Sequence, residues 1–182
     1  MKIFCQTERL ILREILPSDD EAMFRMDSDK EVHKYLGNKP LTEIRQAREN
    51  IVSIRQQYVE NGIGRCAVIY KGSLEFMGWC GIKLVKTETN KHSNYYDIGY
   101  RFMPAYWGKG FATESARAAL KYGFTEMNLS VIYGTALAAN KSSLHVLEKI
   151  GLMYTNAFDA EYGPSVWLQL SQEDFKKKMQ IQ

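Results

Sequence analysis

The sequence predicts a mixed α/β (α+β) fold in one domain over residues 1–182, and three observations carry that prediction. From Tyr95 to Met103 the chain alternates: Tyr96, Ile98, Tyr100 and Phe102 share one face and Asp97, Gly99 and Arg101 the other, the period of a strand. Ile44, Ala47, Ile51, Ile54 and Tyr58 recur at the period of a helix. A glycine-rich turn, Gly108-Lys109-Gly110, joins the alternating run to a second helical stretch. A length of 182 residues agrees, since one domain takes about 150.

Arg9 to Ile15 reads as a short strand of Leu and Ile. Ser18 with Glu21 three residues on makes a capping box that starts a helix, and Asp29 to Leu36 is a second helical stretch ended near Gly37 and Pro40. Thr42 caps the longer helix, which Asn61-Gly62 closes. Cys66 to Tyr70 is a strand and Lys71-Gly72-Ser73 a turn. Glu75 to Val85 is apolar on both faces and predicts a central strand, in which Gly78 and Gly81 predict a bulge or the close approach of a ligand. Lys86 to Asn94 is a polar loop. After the glycine turn, Ala112, Ala116, Ala119, Leu120 and Gly123 form an inner stripe small enough to lie close against a sheet. Val131 to Leu137 is a strand, Asn140 caps a helix that Gly151 ends, and Met153 to Phe158 pairs with Ser165 to Leu170. Ser171-Gln172-Glu173-Asp174 opens a terminal helix.

Composition narrows the chemistry. Lys and Arg number 24 against 21 Asp and Glu, and a net +3 is too weak a field to argue for a nucleic-acid partner. The basic cluster Lys176-Lys177-Lys178 falls in the last turn of the terminal helix, where cations complement the helix dipole. No apolar run approaches the roughly 18–20 residues of a membrane span, and no apolar stretch after Met1 reads as a secretory signal. Cys5, Cys66 and Cys80 are odd in number and dispersed, which argues against disulfides and zinc and fits a reducing, cytoplasmic setting. His33, His92 and His145 are equally dispersed, so no metal site is expected. Neither HExxH nor a Gly-x-Ser-x-Gly elbow occurs.

The glycine-rich junction is the informative element. Strand, glycine turn, helix is an anion-binding geometry: free N–H groups at the helix start point outward, and the dipole adds about half a positive charge. Glycines let main chain approach a phosphate with no Cβ in the way. Trp107, Gly108, Lys109, Gly110, Phe111, Ala112 and Thr113 form the junction, and Lys109 adds a cation. A Walker A loop is absent. The dinucleotide fingerprint fits poorly, because Thr113 stands at its last position and Ser130 and Val131 where an acid belongs about 20 residues on.

Tyr106-Trp107-Gly108-Lys109-Gly110-Phe111-Ala112-Thr113-Glu114 resembles the acetyl-CoA loop of the GCN5-related N-acetyltransferases (GNAT), most closely their RimJ/RimL-like branch. The superfamily pattern Gln/Arg-x-x-Gly-x-Gly/Ala falls on Trp107 to Ala112, with Trp107 in place of Gln or Arg, as is usual in that branch. A second stretch, Asn140-Lys141-Ser142-Ser143-Leu144-His145-Val146-Leu147-Glu148-Lys149-Ile150-Gly151-Leu152, resembles the family's Asn-x-x-Ser-x-x-Val-Leu-Glu-Lys-x-Gly-Phe helix. The likeness spans roughly residues 7 to 170. Two motifs in the right order are far more specific than one glycine loop.

The resemblance implies the GNAT fold: a mixed, mostly antiparallel central sheet splayed between two central strands and flanked by helices. It implies acetyl-CoA wedged into the split, its pyrophosphate on the glycine loop and its pantetheine bonded to the splayed strand at Tyr100, Arg101, Phe102 and Met103. Asn140 would bond the pantetheine arm. The implied reaction is direct attack of a primary amine on the thioester. The amine must be neutral, yet a Lys amine has a pKa of ~10.4 and an α-amine of ~7.7–8.0. A base is therefore needed, and Asp97 is the candidate. A main-chain N–H near Phe102 would stabilise the oxyanion. Ser143 would hydrogen-bond the leaving thiolate, with Tyr154 and Tyr133 as alternative donors. The RimJ/RimL-like branch suggests a protein N-terminal α-amine as acceptor. A small-molecule amine or antibiotic, an acyl-CoA-binding regulatory module without catalysis, and a homodimer are left open.

Overall fold

The computed structural model describes residues 1–180. Eight strands, β1 (Ile3–Gln6), β2 (Leu10–Glu14), β3 (Cys66–Tyr70), β4 (Phe76–Val85), β5 (Tyr95–Phe102), β6 (Val131–Leu137), β7 (Met153–Ala160) and β8 (Gly163–Ser171), form one sheet in the order β1-β2-β3-β4-β5-β6-β8-β7. Neighbours are antiparallel except β5 and β6, which run parallel and share a single ladder pair, Asp97 with Tyr133. The helices are α1 (Asp20–Asp27), α2 (Lys30–His33), α3 (Ile44–Asn61), α4 (Phe111–Thr125), α5 (Lys141–Lys149) and α6 (Gln172–Gln180).

The alternation along the strands sends side chains into two cores. On one face Leu10, Leu12, Val68, Met77, Ile82, Ile98 and Phe102 pack under Ala116, Leu120 and Phe124 of α4 and Leu147 of α5. On the other, Ile15, Ala67 and Ile69 pack under Met23 and Met26 of α1, Val32 of α2 and Ala47 and Ile51 of α3. Each fully buried Leu or Ile contributes about 1.5–3 kcal/mol relative to an exposed one. The mixed, mostly antiparallel sheet with flanking helices is the fold the resemblance implied.

Local details differ from the sequence reading where a distant partner decides. β1 escaped detection because four residues carry no readable period. The capping box of Ser18 with Glu21 does not form. Asp19 takes its place: its carboxylate accepts from the Leu16 N–H at 2.7 Å and pairs with both Arg13 guanidinium nitrogens at 2.7 and 2.8 Å. The second helical stretch shrinks to Lys30–His33, capped by Asp29. The start of α3 is closed from within, as Gln46 Oε1 accepts from the N–H groups of Thr42 and Glu43 at 2.9 and 3.0 Å. Gly78 marks a bulge between β3 and β4, and a Cβ there would lie 2.1 Å from the Arg101 carbonyl oxygen. The close approach at Gly78 is that of the neighbouring strand β5.

Candidate active site

The glycine turn begins with one tight turn, Pro104–Tyr106, directly after β5. The Trp107 N–H donates to the Pro104 carbonyl at 3.1 Å, so this amide is not open to an anion, contrary to expectation. The Trp107 indole instead anchors the turn: Nε1 donates to the Phe102 carbonyl at 2.8 Å. Gly108 and Gly110 have φ of +71° and +80°, a region that disfavours side chains, and Gly110 opens α4 with no side-chain cap. From Gly108 to Thr113 no N–H finds an acceptor among the described residues. These are the orphan donors that bind anions at a helix start.

The turn is held from the opposite edge of the chain. Arg9, just before β2, donates through Nε to Glu114 Oε2 at 2.7 Å and through Nη1 to the Lys109 carbonyl at 3.2 Å. Its guanidinium lies 4.3 Å from the centroid of the Phe111 ring. Burial opposes the charge of Glu114, but hydrogen bonds from Thr7 and Arg9 outweigh it and leave its pKa lowered. Lys109 curls back and donates Nζ to the Ala105 carbonyl at 2.8 Å.

Beyond Asp97 and Tyr133, β5 and β6 part. The Met103 N–H donates to the Met77 carbonyl at 3.0 Å. Main-chain groups of a strand turn alternately to its two neighbours. Arg101 and Met103 therefore direct theirs to β4, while Tyr100 and Phe102 direct theirs into the split. Of the four residues expected to bond a pantetheine arm, Tyr100 turns its N–H and carbonyl into the split and Phe102 its N–H, the Phe102 carbonyl being taken by the Trp107 indole. Across the split, the Tyr100 hydroxyl donates to the Ser143 carbonyl at 2.7 Å and lies 3.1 Å from Ser143 Oγ. Burial pushes the Tyr100 phenol far above its ordinary pKa, so it remains a donor. Asn140 Oδ1 accepts from the Ser143 N–H at 3.1 Å as the cap of α5, which leaves its Nδ2 free of partners among the described residues.

The other face of β5 is polar and half-exposed. Asp97 is held by Arg65, not by Arg101: Arg65 Nη2 donates to Asp97 Oδ2, and Nη1 to the main-chain carbonyls of Gly81 and Asp97. A Cβ on Gly99 would lie 2.6 Å from Arg65 Nη2, so the missing side chain is what lets Arg65 lie across the strand. Arg101 pairs with the buried Asp27 of α1 at 2.8 Å, and the Trp79 ring lies between the two guanidiniums, 5.3 Å from Arg65 and 5.0 Å from Arg101. His33 is buried beside Asp27 with both ring nitrogens unpartnered. Burial, then the nearby Arg101, lowers its pKa against the opposing pull of Asp27. Tyr133 shares this face with Asp97 and stacks among Tyr95, His92 and Trp167. Tyr154 is 65% exposed on the outermost strand β7, with β8 and β6 between it and the split, and the structure does not bring it to the other candidates.

The structure thus places Tyr100, Phe102, Asn140 and Ser143 about the split, and Gly108, Lys109, Gly110, Phe111, Ala112 and Thr113 in the glycine turn and helix start that follow β5. Sequence reasoning missed Arg9, Arg65 and Asp27. Each acts through a partner far along the chain, and no local pattern announces it.

The sequence and the fold have counterparts among known proteins. The family model described as Acetyltransferase (GNAT) domain matches residues 9–153. The chain belongs to the GNAT acetyltransferase family. An uncharacterized N-acetyltransferase, p20 of Bacillus licheniformis, is 34% identical over 144 residues, 79% of each protein. A solved GNAT-family acetyltransferase from Bacillus anthracis is 30% identical with a TM-score of 0.77, over 95% of this chain and 99% of that one. Spermidine N-acetyltransferase from Vibrio cholerae, solved with CoA and spermine, shares the fold with a TM-score of 0.76 at 20% identity, over 93% of this chain and 99% of that one. GNAT enzymes use acetyl-CoA, and this GNAT chain is an N-acetyltransferase acting on an amine. Among the described residues no group of His, Cys, Asp or Glu could hold a metal ion, and no helix is long and apolar enough to cross a membrane.

Proposed function

We propose that the chain is a single acetyltransferase domain of the cytoplasm that moves an acetyl group from acetyl-CoA to a primary amine, a protein N-terminal α-amine being the first acceptor to test. The observation that carries the site assignment is the one-pair contact between β5 and β6 next to unpartnered amides from Gly108 to Thr113. Acetyl-CoA supplies the activated acyl group as a thioester. The amides of the glycine turn bind its diphosphate, Tyr100 and Phe102 bond its pantetheine arm, and Asn140 Nδ2 donates to the same arm.

The acceptor reaches the thioester from the Asp97 face. Asp97 Oδ2 is held by Arg65, and Oδ1 takes the amine proton through a water. As the C–N bond forms, the Tyr100 or Phe102 N–H donates to the carbonyl oxygen that gains charge. As the C–S bond breaks, Ser143 Oγ donates a hydrogen bond to the thiolate. An α-amine, with a pKa of ~7.7–8.0, is substantially neutral near pH 8, whereas a Lys amine at ~10.4 is not. This favours an α-amine for a site whose base is a carboxylate, and the RimJ/RimL-like glycine motif points the same way.

The test is thiol release from acetyl-CoA across N-terminal peptides, polyamines and aminoglycosides. Turnover with peptides above the rest supports the reading. Binding of CoA without thiol release to any amine would make the chain an acyl-CoA-binding module. CoA at 100 times its dissociation constant stabilises the fold by about 2.7 kcal/mol, which thermal unfolding detects. Stabilisation by NAD(P) and not by CoA overturns the assignment.

A further inference from the structure

We propose that the acceptor amine carries a carboxylate near its nitrogen, and that Lys83 receives it. The inference rests on the transferase reading above and narrows its acceptor class. Its basis is the charge count on the half-exposed face of β4 and β5. In register, Lys83 lies opposite Asp97, Gly81 opposite Gly99, and Trp79 opposite Arg101. Gly99 lacks the side chain that would meet Arg65, so Arg65 lies across the strand there and reaches the Gly81 carbonyl. Asp97 in turn is paired with Tyr133 at the point where the split begins, so Lys83 stands one strand away from the closed end of the split.

The charged groups clustered on this face are Arg65 from the turn before β3, Lys83 from β4, Asp97 and Arg101 from β5 and Asp27 from α1, with His33 of α2 beside Asp27. Arg65 is satisfied by Asp97, and Arg101 by Asp27. Three cations thus face two carboxylates, and Lys83 is the one left without a partner among the described residues. Its surroundings disfavour the charge: burial first, then Arg65, pulls the Lys83 pKa down, and Asp97 only partly offsets them. A cation half withdrawn from water beside two guanidiniums is short of one anion. A ligand that brings a carboxylate restores the balance. A polyamine adds positive charge to a face that already has an excess, so the same arrangement discriminates against it.

A carboxylate near the amine comes from a free amino acid or from an acidic side chain in an N-terminal peptide. Amide counterparts keep the shape and remove the charge. Acetylated products serve best as probes, because they have no amine whose own pKa would differ between acid and amide. Calorimetry on the CoA-loaded protein compares N-acetylalanine with N-acetylalaninamide, and N-acetylalanylaspartate amide with N-acetylalanylasparagine amide. We expect the acid of at least one pair to bind about tenfold tighter, equivalent to ~1.4 kcal/mol. The first pair reports a free amino acid and the second an acidic peptide. Lys83→Met should bring the two dissociation constants of that pair together, and Lys83→Arg should keep them apart.

Equal affinity of acid and amide in both pairs, no measurable binding of either acid, or a preference that survives Lys83→Met overturns the proposal. Failure of the transferase reading looks different: the acids still bind, but no amine releases thiol from acetyl-CoA.

Discussion

Ser143 shows how one turn of helix can place two functions. Its N–H is consumed by the Asn140 cap and its carbonyl by the Tyr100 hydroxyl, while Oγ, 3.1 Å from that hydroxyl, keeps a proton to give. The main chain is therefore fixed by groups that do not take part in the chemistry. Ser143→Ala should lower kcat by about tenfold to a hundredfold, the ~1.5–3 kcal/mol of a hydrogen bond to a charged group, with the CoA dissociation constant within threefold of the parent. Tyr100→Phe should instead loosen the turn itself and weaken CoA binding. Steady-state kinetics and CoA titration on both variants separate the two roles. Equal loss of kcat and CoA affinity in Ser143→Ala would show that its hydroxyl only holds structure. At the same scale, Asp97→Asn should lower kcat by about a hundredfold or more, the usual contribution of a positioned base, and an unchanged kcat would exclude Asp97 as the base.

At the scale of elements, the glycine turn owes its shape to side chains on either side of it. Trp107 ties it to the end of β5, and Arg9 with Glu114 ties it to the strand that begins at Leu10. A Cβ at Gly110 would meet only Arg9 Nη2, at 3.6 Å, so space is not the obstacle; φ of +80° is. Gly110→Val should cost about 1–3 kcal/mol of backbone strain and weaken CoA binding at least tenfold in a protein that still folds. Arg9→Met, which leaves the glycines intact, should weaken CoA binding by a smaller factor. Unchanged CoA affinity in folded Gly110→Val would reduce the loop to a plain turn.

These elements also mark how far the sequence could be read. The strand–turn–helix junction, the Asn140 cap and the alternation from Tyr95 were legible because their causes lie within a few residues. The Arg65–Asp97 pair was not, since its partners are brought together only by the β3-β4-β5 register. The same alternation placed Arg101 beside Asp97, but Arg101 had a stronger claim from Asp27 on α1. Tyr154 was unreadable for the opposite reason: nothing local reveals that β7 pairs at the far edge beyond β8.

For the molecule as a whole, its buried acids of high pKa set the response to alkali. Burial pushes the Cys5 thiol up to about 11 and that of Cys80 to about 12, and raises Tyr58 and Tyr100 further. In the unfolded chain a thiol titrates near ~8.5 and a phenol near ~10. Below these values both states hold their protons and the stabilisation is fully present. As pH rises above them, the unfolded chain releases protons that the native one keeps, so stability falls until the native groups also titrate. The thermal midpoint should be flat from pH 7 to 8 and decline steadily from pH 9 to 11, and Cys80→Ala should make the decline shallower. A midpoint independent of pH across that range would contradict the burial of these groups.

The single rung between β5 and β6 has a mechanical consequence. Two plates of strands, one from β1 to β5 and one of β6, β8 and β7, are stitched by Asp97 with Tyr133 and clipped by the Tyr100 phenol. Amide deuterium uptake on the empty protein should resolve two separately opening blocks, with Tyr100 and Phe102 among the fast-exchanging positions. In the proposed binding mode the coenzyme lies along β5 as a surrogate strand, so its arrival should fuse the blocks into one cooperative unit.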